Sequence, residues 1–179
     1  MCIILRVPDV IPVPDGALEA MTLQRVAILV GTMTGTAELA AAEVETSLTG
    51  RGYDVTVELM DDLNASVFDG DAVYLICSST YGSGDVPDNA QALFEDLETT
   101  RPDLAGVRYG VISLGDRTYK DTFCMGGLRF DAILCELGAK RLGEPLLHDA
   151  ATGTLAEDIA AAWSLRWVDE EVAKLASVA

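Results

Sequence analysis

The sequence has 179 residues, 50% of them hydrophobic, and a formal net charge of −17 from 29 acidic and 12 basic side chains. This length and composition fit one globular domain with a full core, and no run of eighteen apolar residues offers a membrane span. Nucleic acid and anionic membranes are excluded as partners, because binding to their phosphates depends on Lys and Arg. The acidity is equally compatible with docking to a basic-surfaced protein and with an acidic, salt-tolerant surface.

Cysteine and histidine usage argues against metal and nucleophilic chemistry. The four cysteines show no CxxC spacing or other metal-site pattern, which favours reduced thiols, a cytoplasmic location and no metal. His148 is the only histidine and no nucleophile elbow accompanies it, so we assign no catalytic residue. We expect His148 to be a loop or surface residue.

Residues 1–24 are predicted to be an irregular N-terminal extension. No helical or strand periodicity survives the prolines in this segment, which are Pro8, Pro12 and Pro14. The segment lacks the basic start and the unbroken apolar core of a signal peptide, and Met21 is an alternative start of the native chain. We therefore expect the folded domain to comprise residues 25–179.

Apolar runs alternate with helical patterns throughout the rest of the chain. The expected strands are 26–30, 53–59, 72–78, 107–114 and 141–147, and helical periodicity covers 36–49, 90–97, 130–137 and 154–175. The 53–59 strand alternates apolar and polar residues, so we expect it to be half exposed at an edge of the sheet. Trp163 and Trp167, four residues apart on the last helix, are predicted to pack against the sheet. The alternation predicts an α/β fold with a doubly wound, five-stranded parallel sheet.

Polar loops follow the first, third and fourth expected strands, at residues 31–36, 79–89 and 115–124. The carboxyl ends of parallel strands meet at one edge of the sheet, which is where ligands bind in folds of this class. The three loops are therefore expected to form one site.

The first of these loops has the character of a phosphate-binding turn. It joins a buried strand directly to a helix through glycine and threonine, so backbone N–H groups and the positive end of the helix dipole point at one spot. A Walker loop is excluded because no lysine follows Gly35, and the spacing does not supply G-x-G-x-x-G. A phosphoacceptor receiver domain is excluded as well, because Cys77 and Ser78 stand where it needs an aspartate.

Three motifs together indicate which ligand the site binds. They are Thr32-x-Thr34-Gly35-Thr36, then Ser79-Thr80-Tyr81-Gly82-x-Gly84-Asp85-x-Pro87-Asp88-Asn89-Ala90, and finally Leu114-Gly115-Asp116-x-Thr118-Tyr119-x-x-x-Phe123. In this order they resemble the flavin-binding loops of the flavodoxin-like family, above all MioC-type short-chain flavodoxins and the FMN domains of cytochrome P450 and sulfite reductases. The resemblance covers about residues 26–172. It implies a three-layer α/β/α fold, the strand order 2-1-3-4-5 and FMN as the cofactor.

The resemblance also implies a role for each loop. The threonine-rich turn would wrap the FMN phosphate, and Tyr81 and Tyr119 would flank the isoalloxazine ring. The Gly82 peptide would flip so that its carbonyl accepts a hydrogen bond from N5–H of the one-electron reduced flavin. Cys124 either touches the flavin edge or is an inert buried thiol. The implied cofactor-binding residues are Thr32, Met33, Thr34, Gly35, Thr36, Ser79, Thr80, Tyr81, Gly82, Gly84, Leu114, Gly115, Asp116, Tyr119, Phe123 and Cys124.

The implied function is single-electron transfer by bound FMN. The chain has no room for a nicotinamide-binding domain, so we expect a separate NAD(P)H-dependent flavin reductase as donor and a basic-surfaced protein as acceptor. The alternatives are an FMN-dependent NAD(P)H:quinone or flavin oxidoreductase on the same fold, and a flavin-free interaction module. Carboxylates in the loops are predicted to disfavour the anionic, fully reduced flavin and to make it a strong reductant; they are Asp85, Asp88, Asp116 and Asp121.

Overall fold

The computed structural model describes residues 24–176, so the expectation for the N-terminal extension lies, apart from Gln24, outside the described residues. The strands are β1 (Arg25–Gly31), β2 (Asp54–Leu59), β3 (Val73–Ser79), β4 (Arg108–Gly115), β5 (Lys140–Arg141) and β6 (Leu146–Asp149). The helices are α1 (Thr36–Thr49), α2 (Asp88–Thr100), α3 (Met125–Glu136), α4 (Ala156–Trp167) and α5 (Ala173–Ala176). Short 3₁₀ turns cover Ala65–Asp69 and Ala150–Thr152, and a π-helical turn, Val168–Val172, joins α4 to α5.

The strands form one parallel sheet, and the predicted order 2-1-3-4-5 is confirmed. The fifth position differs from the expected single strand, because β5 and β6 each pair with β4 and residues 142–145 separate them. Gly143 adopts a left-handed backbone with φ of 72°. Pro145 lacks the N–H that a sheet ladder requires, so the two residues together interrupt the strand.

Helices cover both faces of the sheet, as expected for a three-layer α/β/α fold. One core contains Val26, Ile28 and Val30 of β1 and the buried residues of α1 and α4. The other contains Leu29 of β1, Ile76 of β3 and the buried residues of α2 and α3. Neighbouring residues of β1 thus enter opposite cores, which is why the central strands are continuous apolar runs.

The β2 strand lies at the edge of the sheet, as its alternating pattern predicted. Within residues 24–176 it pairs with β1 alone. Val57 is 38% exposed and Leu59 is 41% exposed. No helix in the described part of the chain has the length and apolar character needed to cross a bilayer.

In the C-terminal third, the predicted position of His148 is wrong and the predicted packing of the two tryptophans is confirmed. His148, expected in a loop or at the surface, is buried on β6, with Nε2 3.1 Å from the Thr154 carbonyl oxygen. Trp163 and Trp167 pack against the sheet as predicted, with their rings stacked at 5.6 Å. The Trp167 indole N–H donates to the Leu142 carbonyl at 2.8 Å, in the segment that separates β5 from β6.

Candidate functional site

The register of the sheet places the ends of four strands side by side. Gly31 of β1 lies opposite Ser78 of β3, and Ser79 lies opposite Leu114 of β4. Gly115 in turn lies opposite Asp149 of β6. The strand order reverses between β1 and β3, which makes this edge the position at which doubly wound sheets bind ligands.

The turn between β1 and α1 presents neutral hydrogen-bond donors. The Thr32 hydroxyl accepts from the Gly35 amide at 3.0 Å and closes the turn, in which Gly35 is left-handed with φ of 85°. The first helical bond runs from the Leu39 amide to the Gly35 carbonyl at 3.0 Å. The amides of Thr36, Ala37 and Glu38 consequently have no intrahelical partner, and Thr36 lies at the site. A phosphate fits this arrangement of amides at the positive end of a helix.

Hydroxyl groups complete this turn in place of a cation. Thr34 and Thr36 are exposed, and their hydroxyl oxygens lie 3.4 Å apart. No lysine or arginine occurs in residues 26–50, and a Cβ built on Gly35 would contact nothing within 4 Å. The open space and the unpaired amides suit a monophosphate held without ionic contacts.

A tight turn follows β3. The Tyr81 amide donates to the Asp85 carbonyl at 3.0 Å, and the Asp85 amide donates back to the Tyr81 carbonyl at 2.8 Å. Gly82 and Gly84, enclosed by these bonds, have φ of 52° and 93°, in the region that favours glycine. Tyr81 is 47% exposed at the rim of the site.

The loop after β4 is held by side-chain hydrogen bonds. The Asp116 carboxylate accepts from the Thr118 hydroxyl at 2.6 Å and from the Thr118 amide at 2.8 Å. These two bonds lower the pKa of Asp116, so it stays ionised well below neutral pH. Tyr119 follows and is 68% exposed, which leaves its ring available to a planar ligand.

The same loop is fastened to the end of β6 through Asp149. This carboxylate accepts from the Arg117 amide at 3.0 Å and from the Ala151 amide at 3.0 Å, and it pairs with the Arg117 guanidinium at 3.6 Å. The guanidinium also lies over the Phe123 ring, 4.3 Å from its centroid. Arg117 is therefore engaged in fixing the loop.

Between these loops lies an open cavity of about 390 Å³, within the usual size range of ligand pockets. It is lined by residues from four loops, namely Thr36, Ser79, Thr80, Gly82, Leu114, Gly115, Asp116, Tyr119, Thr122 and Ala150. Thr122 and Ala150 were missed by sequence reasoning. Ala150 follows β6, and no motif marked that segment.

The other proposed site residues lie outside this lining. The turn between β1 and α1, called the phosphate turn from here on, lies beside the cavity and contains Thr32, Met33, Thr34 and Gly35. Tyr81 and Gly84 belong to the turn after β3. Phe123 packs under Arg117. The Cys124 thiol is buried within 3.2 Å of the Ser113 carbonyl and 3.5 Å of the His148 carbonyl, and burial raises its pKa to about 11. This geometry favours the inert thiol over a contact with the flavin edge.

Comparisons with known proteins agree with the fold and the motifs. The flavodoxin family model matches residues 28–163. Flavodoxin YqcA of Escherichia coli K12 is 39% identical over 145 residues, which cover 81% of this chain and 97% of YqcA. The sulfite reductase [NADPH] flavoprotein alpha-component of Shewanella oneidensis is 36% identical over 83% of this chain and 25% of its own length.

A solved flavodoxin structure also shares the fold of this chain. A cysteine-to-alanine mutant of flavodoxin from Pseudomonas aeruginosa superposes with a TM-score of 0.73 at 32% identity, covering 82% of this chain and 97% of that one. The resemblance in the motifs is confirmed, and with it the expected cofactor. The chain belongs to the flavodoxin family, whose cofactor is FMN.

Proposed function

We propose that this protein is a single-electron carrier that uses FMN held between the phosphate turn and the loops after β3 and β4. The observation that carries the proposal is the open cavity between these loops, with a cation-free phosphate turn at one end and exposed tyrosines at the other. The bound flavin would supply one-electron redox chemistry, and the protein would supply binding, orientation and electrostatics.

The residues divide this work among them. The amides of Thr36 and Ala37 and the hydroxyl of Thr34 would hold the phosphate. Tyr81 and Tyr119, both exposed at the rim, would flank the ring. The Gly82 carbonyl accepts no hydrogen bond from residues 24–176, and its glycine backbone tolerates either orientation of the following peptide. These features support the flip that would place a carbonyl acceptor at the reduced ring.

The charge distribution supports a low potential for the last electron. Asp116 lines the cavity and is ionised at neutral pH, as its ordinary pKa already requires, and the two hydrogen bonds from Thr118 lower that pKa further. Asp85 contributes less field at a distance, because its carboxylate is 2.8 Å from the Arg129 guanidinium. A net charge of −17 would also favour encounter with a basic-surfaced acceptor over one of like charge.

The partners we propose are a separate NAD(P)H-dependent flavin reductase as donor and a basic-surfaced redox protein as acceptor, with both steps in the cytoplasm. Similarity to YqcA over 97% of its length supports a carrier, since that relative is a flavodoxin. Arg117, which lies beside the cavity, is engaged with Asp149 and Phe123. This engagement disfavours a direct nicotinamide clamp built on that arginine.

Anaerobic reduction tests the proposal. The purified protein, reconstituted with FMN, is photoreduced while its absorption spectrum is followed, and a second sample receives NADPH alone. A carrier accumulates the long-wavelength band of one-electron reduced flavin and stays oxidised with NADPH until a flavin reductase is added. Prompt bleaching by NADPH alone would instead establish an oxidoreductase, and failure to bind FMN would establish a flavin-free module.

A further inference from the structure

The side chain of Asn89 joins the phosphate turn to helix α2. Its Oδ1 accepts from the Thr32 amide at 2.8 Å, and its Nδ2 donates to the Val30 carbonyl at 3.2 Å. The two bonds thus hold the backbone of the residues on either side of Gly31. Nδ2 also donates to the Asp61 carboxylate at 3.1 Å, which fixes the orientation of the amide.

Two further contacts connect the same regions. The Asp88 amide points at the Met33 sulfur, 3.3 Å away. Ala90 lies directly under the turn, since a Cβ built on Gly31 would be 3.3 Å from the Ala90 Cβ. The turn thus contacts each of the first three residues of α2.

Helix α2 is a rigid support for these contacts. Ala90, Leu93 and Leu97 are fully buried in the core on that face of the sheet. The N-cap of α1 is a left-handed glycine without a side-chain cap, and the other side-chain bonds to the turn are those of the Thr32 hydroxyl and of the Ser79 hydroxyl, which donates to the Gly31 carbonyl at 3.4 Å. Asn89 makes the shortest of the side-chain bonds to the turn, and it makes that bond from a separate helix.

We propose that Asn89 is a positioning residue that sets the shape of the phosphate turn and thereby gives the protein its preference for FMN over riboflavin. It does so without touching the ligand, by fixing the Thr32 amide and by adding a second donor to the Val30 carbonyl, which also accepts from the Met60 amide at 3.0 Å. Only an amide side chain supplies the required acceptor and donor together, since a carboxylate lacks the donor and an aliphatic side chain lacks both. The inference rests on the proposed binding of FMN.

Affinities for two flavins test it, because riboflavin has the ring of FMN and no phosphate. Apoprotein is titrated with each flavin and binding is followed by fluorescence quenching. A neutral hydrogen bond changes an equilibrium constant by roughly two- to twelvefold. Asn89→Ala should weaken FMN binding by about tenfold and riboflavin binding by less than about twofold, so the ratio of the two affinities falls by about fivefold or more.

Asn64→Ala is the matched control. Asn64 also bonds a backbone amide, that of Ser66 at 3.0 Å, but it caps the Ala65–Asp69 turn away from the phosphate turn. Its replacement should leave the ratio of affinities unchanged. An effect of Asn64→Ala as large as that of Asn89→Ala would overturn the proposal.

A charge-neutral exchange keeps the test decisive if Asn89→Ala does not fold. Asn89→Asp alone places two carboxylates against each other and should weaken FMN binding further than Asn89→Ala does. Combining it with Asp61→Asn removes this repulsion and keeps an acceptor for the Thr32 amide, although not the donor to the Val30 carbonyl, so it should recover part of the preference for FMN.

Equal weakening of FMN and riboflavin by Asn89→Ala would show a merely structural role and would overturn the inference, as would a ratio unchanged within about twofold, the lower end of a hydrogen-bond effect. No recovery in the exchanged double variant would do the same. If the wild-type protein binds neither flavin, the proposed function fails first and this inference falls with it. The two failures are therefore distinguishable in one set of titrations.

Discussion

The phosphate turn and the ring-side loops, which follow β3 and β4, differ in the bonds that hold them, although all lie at the same edge of the sheet. Half-buried side-chain bonds, from Thr32 and Asn89, hold the turn between β1 and α1. The loop after β4 is also held by side chains, those of Asp116 and Asp149. The turn after β3 is instead closed by backbone bonds between Tyr81 and Asp85, and it contains two left-handed glycines. The phosphate end of the site is therefore suited to fixed binding, while the glycines of the turn after β3 permit the backbone change that a redox-dependent response requires.

The largest expected effect comes from breaking the ring-side support. A Cβ on Gly126 of α3 would lie 2.1 Å from the Ser79 carbonyl oxygen, so Gly126→Ala must displace the backbone that lines the cavity. We expect the free energy of unfolding to fall by about 1–3 kcal/mol or more, together with a loss of flavin affinity. Denaturant unfolding and FMN titration measure the two effects.

Gly106→Ala is the control for this prediction, since a Cβ there would contact nothing within 4 Å. It should change neither stability nor affinity appreciably. Equal stability of the two variants would show that the contact between α3 and the loop after β3 is not tight.

Alanine variants of one glycine in the phosphate turn and one in the turn after β3 should separate the effect on FMN binding from the effect on its redox behaviour. Gly35 and Gly82 both have positive φ and room for a Cβ, so alanine should destabilise the backbone by about 1–2 kcal/mol at each. Gly35→Ala should weaken FMN binding and leave the yield of one-electron reduced flavin unchanged. Gly82→Ala should lower that yield during photoreduction. The same spectral change in both variants would refute the division of roles.

Removing one charge from the ring-side loops tests the electrostatic part. Asp116→Asn should raise the potential of the second electron by roughly 20–70 mV, the effect of a unit charge at about 10 Å for an effective dielectric between about 80 and 20. A spectroelectrochemical titration measures it. Replacing both members of the Asp85–Arg129 pair by Asn and Gln removes no net charge and is the control. A lower potential in Asp116→Asn would contradict the prediction.

The smallest expected effect concerns the exposed ring at the rim. Tyr119→Leu should weaken FMN and riboflavin equally, by about two- to thirteenfold, because an aromatic pair contributes about 0.5–1.5 kcal/mol beyond burial. This equality contrasts with the phosphate-turn variants, which should affect FMN alone. Titrations with both flavins check it, and a selective loss of FMN affinity would place Tyr119 at the phosphate end.

Much of the site was accessible from the sequence because its motifs are local. Strand β1 and helix α1 enclose the phosphate turn within a short stretch of chain, and the predicted bounds of α1 agree with the structure. The split of the last strand was missed although Gly143 and Pro145 stand inside it, because one short strand over residues 141–147 was predicted across this turn signal. His148 was misplaced because a polar residue near the end of a short strand has no periodicity of its own.

Sequence alone determined the fold class, the strand order through the family resemblance, the cofactor and the three loops that meet at one edge. These follow from periodicity and from motifs in which neighbouring residues act together. Tertiary structure decided which distant side chains hold those loops. Asn89 lies 57 residues from Thr32 in the chain, and Asp149 lies 32 residues from Arg117. Such pairs leave no local pattern, because only the register of the parallel sheet brings them within hydrogen-bond distance.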